Sequence, residues 1–287
     1  MDERTTNRDI SEPAADILAV IEGRSPWCVV TGDALQVLRT LPNACADAVL
    51  TDPPYSSGGM MRGDRMQDVH TKYVQSDSVS GHELTGFSGD NRDALGYWFW
   101  AAMWLNELRR VVVPGGIVAV FTDWRQLPAT CMGIQSGGLV WRGVVPWHKP
   151  NGRPTQGRWA NSCEYLVWAT NGPRELDGRA FPGFFQANAP HSTDRVHVTQ
   201  KPTEIIAEMV EVVPVGGLVL DPFCGSGTTG FACHQNNRRF IGCDIEGHWV
   251  DVARRRIADA APLFVPAPKA ADPALFTQET TRERATL

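Results

Sequence analysis

Leu220-Asp221-Pro222-Phe223-Cys224-Gly225-Ser226-Gly227-Thr228-Thr229 is the stretch that decides how this chain folds. The apolar residues 218–220 predict a short buried strand running into an acid. A glycine-rich turn follows, and residues 228–236 read as the helix it opens. Gly225 and Gly227 let the backbone approach a ligand closely, and the N-terminus of a helix is electropositive. No Gly-Lys-Ser/Thr follows, so this is not a phosphate-gripping loop, and it is not a clean Gly-x-Gly-x-x-Gly fingerprint either. The next strand, 239–243, ends at Asp244, where a nucleoside-binding fold places an acid to accept ribose hydroxyls. The competing reading is a tight strand–helix turn with no ligand.

Outward from this turn, strand and helix signals alternate, which predicts a mostly parallel sheet with helices on both faces. Strands are expected at 27–31, 46–51, 117–122, 218–220 and 239–243, with 139–146 and 165–169 forming a hairpin-like edge. Helices are expected at 34–41, 96–112, 203–213, 228–236 and 248–260, the second stopped by Pro114-Gly115-Gly116. The domain is expected over 26–261, with loop insertions at 56–92 and 147–162. Residues 1–25 read as a loose arm or short helix, and 262–287 as a tail.

The 287 residues, 43% hydrophobic and 21% charged, suit one large α/β domain with a real core. No apolar run approaches a membrane span and the first residues are charged, so a cytoplasmic protein is expected. Seven scattered cysteines without a C-x-x-C pair read as reduced thiols and indicate no metal site. His191 and His197 lack ligands at metal spacing. The formal net charge of −5 does not favour a nucleic-acid partner, but the distribution of charge matters more than its sum. No acid occurs from Trp124 to Cys163, while Arg125, Arg142, Lys149, Arg153 and Arg158 supply five cations. Such a strip serves either as a solvated face or as a phosphate contact. Trp147 and Trp159, at the ends of its loop, can meet bases or pack the sheet edge. Arg254-Arg255-Arg256 reads as a solvated helix face.

Thr51-Asp52-Pro53-Pro54-Tyr55 ends the strand 46–51, at the carboxyl end of the sheet, where open α/β folds bind ligands. Two prolines keep the backbone extended and leave carbonyls without local donors. An exocyclic amine on a flat base is a poor nucleophile because its lone pair is delocalised into the ring. The Asp52 carboxylate and Pro53 carbonyl can draw both amine hydrogens out of the ring plane and restore that lone pair. Tyr55 can stack on the base and offset the cost of extruding it from a duplex. A Pro-Pro turn capped by an aspartate, with no chemistry, is the alternative. Cys224 lacks the setting of a thiolate that attacks a ring carbon.

Together these residues resemble the S-adenosylmethionine-dependent DNA amino-methyltransferases of the permuted β group, which act on adenine N6 or cytosine N4. Gly32-Asp33-Ala34, Val113-Pro114-Gly115-Gly116, Thr199-Gln200-Lys201-Pro202 and Arg239-Phe240-Ile241-Gly242 extend the likeness over residues 29–257. The resemblance implies a Rossmann-like, doubly wound, mostly parallel sheet of the class I methyltransferase type, in circularly permuted motif order. It implies S-adenosylmethionine as cofactor and double-stranded DNA as partner, with no metal and with a homodimer possible. Catalysis would fall to Asp52, Pro53, Pro54 and Tyr55. Asp33 would meet the cofactor adenine, Asp244 its ribose, and Lys201 its carboxylate end. Asp221, Phe223, Gly225, Ser226, Gly227, Thr228 and Thr229 would line the rest of that site. DNA contact would fall to Arg142, Lys149, Arg153 and Arg158. An aspartate first in the Asp-Pro-Pro-Tyr turn is the form associated with adenine N6. Cytosine N4 transfer by the same machinery, and a non-catalytic nucleoside- or DNA-binding module, remain as alternatives.

Overall fold

The computed structural model describes residues 11–55, 92–151, 156–157, 159–175, 178–188 and 201–260. The insertion at 56–91, Arg153, Arg158, His191, His197, Thr199-Gln200 and the tail at 262–287 lie outside them. The chain order is α1 (Ser11–Ile21), β1 (Trp27–Thr31), α2 (Ala34–Thr40), β2 (Ala46–Thr51), α3 (Ala94–Val111) and β3 (Val112–Thr122). There follow α4 (Leu127–Ser136), β4 (Val140–His148), β5 (Cys163–Thr170), β6 (Phe185–Gln186) and α5 (Thr203–Val210). β7 (Leu218–Asp221), α6 (Thr228–Gln235), β8 (Arg239–Asp244) and α7 (Gly247–Ala258) complete it.

The eight strands form one sheet in the order β1-β8-β7-β2-β3-β5-β4-β6. β1, β8, β7, β2 and β3 are parallel, and β5 runs antiparallel between β3 and β4. Alternation along each strand splits the core into two faces. Val30, Val49, Val118 and Leu220 face Leu38, Trp104, Leu108 and Ile134 of α2, α3 and α4. Val29, Leu50, Ala119 and Val219 face Ile206, Met209, Ala232, Val250 and Ile257 of α5, α6 and α7. This is the doubly wound arrangement expected of the class I methyltransferase type. Among the described residues no helix is long and apolar enough to cross a membrane.

Of the two readings for the N-terminal residues, residues 11–21 form the short helix: Ile17 and Val20 of α1 are buried, and Arg239 donates to its last carbonyls at Val20 (2.9 Å) and Ile21 (2.8 Å). Local differences at α3 and α4 have clear causes. α3 starts two residues earlier than its periodicity predicts, because the Asp93 side chain caps it by accepting from the Gly96 amide at 2.8 Å. It also ends before Pro114-Gly115-Gly116, which lies inside β3. The β-branched run Val111-Val112-Val113 already favours extended backbone. Gly115 (φ +77°) and Gly116 then absorb a register shift against β2, and a Cβ on Gly116 would meet the Asp47 carbonyl at 2.7 Å. α4 is absent from the sequence reading. It carries Thr130, Cys131 and Gly133 on its buried side, so it has little apolar periodicity, and Gly133 is where it packs closely on Ala101 of α3.

Candidate active site

The two motifs are 170 residues apart in sequence and adjacent in space. β2 and β7 are neighbours, pairing Ala48 with Val219 and Val49 with Leu220. At their carboxyl ends the buried Thr51 hydroxyl donates to Asp221 Oδ1 at 2.7 Å. This junction is where the sheet's winding reverses: β8 and β1 lie to one side of β7, and β3, β5 and β4 to the far side of β2. Open α/β sheets leave a crevice at such a point.

On the β7 side, Asp221 Oδ1 also accepts from the Phe223 amide at 3.1 Å, and Thr229 hydrogen-bonds the same carboxylate. Asp244 stitches the end of β8 to the glycine turn. Its Oδ2 accepts from the Gly225 amide and its Oδ1 from the Glu246 amide, each at 3.0 Å. Gly225 has φ +47°, and a Cβ built there would have no atom of the described residues within 4 Å, so its backbone borders a gap among them. Gly227, at φ +77°, is the N-cap of α6. Thr228 and Ser226 are braced by Arg256, whose guanidinium donates to Thr228 Oγ1 at 2.9 Å. Arg256 is thus a structural tie rather than part of a solvated face. Phe223 packs its ring 5.3 Å from both Trp100 and Trp104 of α3. Asp33 caps α2 by accepting from the Gln36 amide at 3.1 Å, and its neighbour Gly32 donates to the Asp244 carbonyl at 2.9 Å. Asp33, Asp244 and the glycine turn therefore stand along neighbouring strand ends.

Burial pushes the Asp221 carboxyl up to about 6, against the hydrogen bonds from Thr51, Thr229 and Phe223. A carboxyl raised in the fold favours the fold while protonated. That contribution is complete below about pH 4 and is lost as the pH rises through 6. Asp221→Asn removes the titration, so the variant gains about 3 kcal/mol on the native protein between pH 4 and pH 7. Urea unfolding of both proteins at several pH values in that range measures the difference.

On the β2 side, Asp52 follows Thr51 into the crevice. Its Oδ2 is held by the Lys201 ammonium, and its Oδ1 is buried with no hydrogen-bond partner among the described residues. Lys201, only 7% exposed, also lies 3.4 Å from Glu164 Oε2. Its Nζ stands 5.9 Å from the Tyr55 ring centre and 5.2 Å from that of Phe121. The buried Tyr55 directs its hydroxyl to Glu164 Oε2 at 3.4 Å, and Lys149 donates to Glu164 Oε1 at 2.8 Å. Burial raises the Asp52 carboxyl, with Lys201 opposing and Glu164 adding to it. Burial would also raise Glu164, but Lys201 and Lys149 outweigh it and hold that carboxyl below its usual range. Burial works to lower Lys201, yet Asp52 and Glu164 together keep its ammonium above the usual lysine range.

Asp52, Tyr55, Lys201, Asp221 and the glycine turn are brought together. Lys201 is engaged by the Asp52 and Glu164 carboxylates and lines the same crevice as Phe223, Gly225, Ser226 and Thr228. Glu164 was missed. Its one signal was position: it is the first acid after the acid-free stretch and opens an otherwise apolar strand. Of the four expected DNA contacts, Arg142 and Lys149 fall among the described residues. Arg142 lies near the start of β4, at the opposite end of the sheet, bonded to Thr170 Oγ1 (2.9 Å) and the Gly172 carbonyl. Lys149 is paired with Glu164. Trp147 is 2% exposed and donates to the Ala187 carbonyl at 3.0 Å, so it packs the sheet edge, whereas Trp159 is 93% exposed. Burial next to Asp221 and Asp244 pushes the Cys224 thiol well up, away from nucleophilic use. Among the described residues no group of three or more His, Cys, Asp or Glu side chains is placed to hold a metal ion.

Comparison with known proteins agrees with this geometry. The type II methyltransferase M.HinfI of Haemophilus influenzae is 23% identical over 263 residues, spanning 82% of this chain and 69% of that protein. Among solved structures, M1.HpyAVI in complex with SAM aligns with a TM-score of 0.57 at 21% identity, covering 80% of this chain and 98% of that one. The cytosine-N4-specific PvuII DNA methyltransferase aligns at 0.63 and 15% identity, covering 82% and 87%. At these identities the structural likenesses establish a shared fold. The N6/N4 DNA methylase family model, however, matches residues 46–255, from the first residue of β2 to the last helix. That stretch carries both strand ends of the crevice, and the chain belongs to the N6/N4 family of DNA methylases.

Proposed function

We propose that this DNA methyltransferase acts on the N6 amine of adenine in duplex DNA, by direct transfer to a base turned out of the helix. The observation that carries this reading is Asp52 Oδ1, a buried carboxylate oxygen at the mouth of the nucleoside crevice without a partner among the described residues. A bare buried acceptor costs free energy that only an incoming donor recovers. An exocyclic amine supplies that donor. Asp52 Oδ1 and the Pro53 carbonyl accept its two hydrogens, which turns the nitrogen lone pair out of the ring. Lys201 holds Oδ2, which opposes the upward push of burial on the Asp52 carboxyl and keeps its free oxygen from rotating away. Tyr55 supports the face of the base.

The residues of the glycine turn fit S-adenosylmethionine. Gly225 offers backbone facing that gap, α6 presents its N-terminus, and Asp33 and Asp244 supply acceptors for an amine and hydroxyls. Bound there, with the glycine turn, Asp33 and Asp244 holding it, the cofactor would supply an electrophilic, sulfonium-activated methyl group, and the amine that accepts it would give up one of its hydrogens as a proton to solvent. Thr51 and Asp221 tie the two halves, fixing the acceptor side relative to the donor side.

Support for adenine comes from the aspartate that opens the Asp-Pro-Pro-Tyr turn. Duplex DNA methylated by the purified enzyme, digested and read by nucleoside mass spectrometry, is expected to contain N6-methyladenine. N4-methylcytosine as the sole product would overturn the choice of base while leaving the amine chemistry intact. The absence of any methylated nucleoside would overturn the activity.

A further inference from the structure

Glu164 lies on β5, two strands from β2, and none of the sequence motifs contains it. Yet both of its carboxylate oxygens are committed inside the site. Oε1 takes Lys149 at 2.8 Å, and Oε2 faces Lys201 Nζ and the Tyr55 hydroxyl, each at 3.4 Å. Through Lys201 it is one side chain away from Asp52, and through the hydroxyl it touches Tyr55 directly. We propose that Glu164 is a positioning residue for methyl transfer, fixing the Asp52 carboxylate through Lys201 and the Tyr55 ring through its hydroxyl. This rests on the reading that Asp52 accepts the substrate amine.

The physical argument starts from Lys201. A buried ammonium needs compensation, and one carboxylate held in a single contact leaves its remaining protons without acceptors. Asp52 alone would draw Lys201 to itself and could wrap both oxygens around it. Glu164 draws the ammonium from the other side. The pull is balanced so that Lys201 meets Oδ2 only, and Oδ1 stays bare. Lys149 on the outer oxygen keeps Glu164 ionised and brings the four side chains to charge balance, two anions with two cations. Small displacements of an acceptor cost much of the rate, since about 1 Å of misplacement is worth on the order of 10² in turnover.

The charges around Asp52 also fix the sign of a pH test. Lys201 precedes α5, Glu164 is on β5 and Lys149 follows β4. Among the described residues, Asp221 on β7 and Tyr97 on α3 also face Asp52, and Asp123 after β3 faces Tyr97 and Glu164. Activity requires ionised Asp52 and falls as the pH drops through its pKa, giving the acid limb of the rate profile. Glu164→Gln removes a like charge beside Asp52 and moves that limb to lower pH. Lys149→Met removes an opposite charge and moves it to higher pH. A residue that merely held the fold would lower the amplitude of the profile and leave the limb where it was.

The test measures kcat, KM for duplex DNA and for S-adenosylmethionine, and the pH profile of the full-length enzyme. It uses Glu164→Gln, Glu164→Asp and Lys149→Met, with Asp52→Ala in parallel and thermal unfolding as a check. For Glu164→Gln the expected results are a kcat lower by about 10–100-fold, a cofactor KM within about threefold of native, and an acid limb at lower pH. Glu164→Asp is expected to recover part of kcat. Native kcat with an unmoved limb in Glu164→Gln overturns the proposal, and an inactive Asp52→Ala beside it shows that the amine reading still stands. Full activity of Asp52→Ala overturns that reading itself. Should Glu164→Gln fail to fold, Lys149→Met decides: an upward shift of its acid limb supports the proposal, and no shift overturns it.

Discussion

Asp52→Ala is expected to lower methyl transfer by at least about 10³-fold while changing S-adenosylmethionine affinity by no more than about threefold. The size follows from what the side chain supplies. It offers one of two acceptors for the amine, in a crevice from which water is largely excluded, where such contacts are strongest. The selectivity follows from position, because the glycine turn, Asp244 and Asp33 lie on other strands and keep their hydrogen bonds when Asp52 is cut back. The fold survives too, since Lys201 retains Glu164 as counter-ion. Asp52→Asn is a sharper version of the same test. An amide that turns its oxygen to the Lys201 ammonium leaves its NH₂ where Oδ1 stood, so that donor meets donor at the substrate amine. Equal loss in the two variants is expected, read by radiolabelled methyl incorporation and by calorimetric titration of the cofactor. Asparagine activity near that of the native enzyme would contradict the role of the free oxygen.

Gly227→Ala is expected to be the most destabilising single change in the glycine turn. At φ +77° an alanine pays for the left-handed conformation, about 1–2 kcal/mol. Its Cβ would also sit 2.8 Å from the Cβ of Ala253 and 3.0 Å from its Cα, and the latter is backbone of α7 that cannot step aside. Overpacking of that kind adds about 1–3 kcal/mol, so a total loss of about 2–5 kcal/mol is expected in urea unfolding. Gly225→Ala separates the two duties of the turn. Its φ of +47° carries the conformational cost, but the new methyl meets no described residue and projects into the space proposed for the cofactor. Stability should fall by only about 1–2 kcal/mol, while cofactor affinity drops by about tenfold or more. If Gly225→Ala proved as destabilising as Gly227→Ala, the space beside it would have been misassigned.

Much of this was legible in the sequence, and the illegible part has a physical pattern. The strands other than the two-residue β6 were readable as short, mainly apolar runs, and β2, β7 and β8 end on the residues that form the crevice. The helices with an apolar face, α2, α3, α5 and α7, were readable from period alone. α4 was not, because it buries threonine, cysteine and glycine against α3 in place of large aliphatic side chains. Asp52 and the glycine turn announced themselves through local backbone chemistry. Glu164 could not, because its role is set by pairing across β5, β3 and β2, and nothing in Cys163-Glu164-Tyr165 records which lysines lie beyond. Lys149 and Arg142 show the converse: a local run of cations identifies charge but not partner, and here Lys149 pairs with Glu164 while the exposed Arg142 bonds Thr170.

The Thr51–Asp221 contact, spanning 170 residues, also governs when the site comes into existence. β2 and its helix α3 can form with β3 early, since their contacts are local. The other edge of β2 stays bare until β7 has been synthesised. At about 5–20 residues per second the ribosome leaves that edge open for roughly 10–30 s. Pairing across so long a separation pays its loop-closure entropy late, which makes sheet completion a slow step in folding. Catalytic competence therefore arrives in one event with the closure of the sheet's centre, and a partly made chain carries Asp52 but has no means of using it.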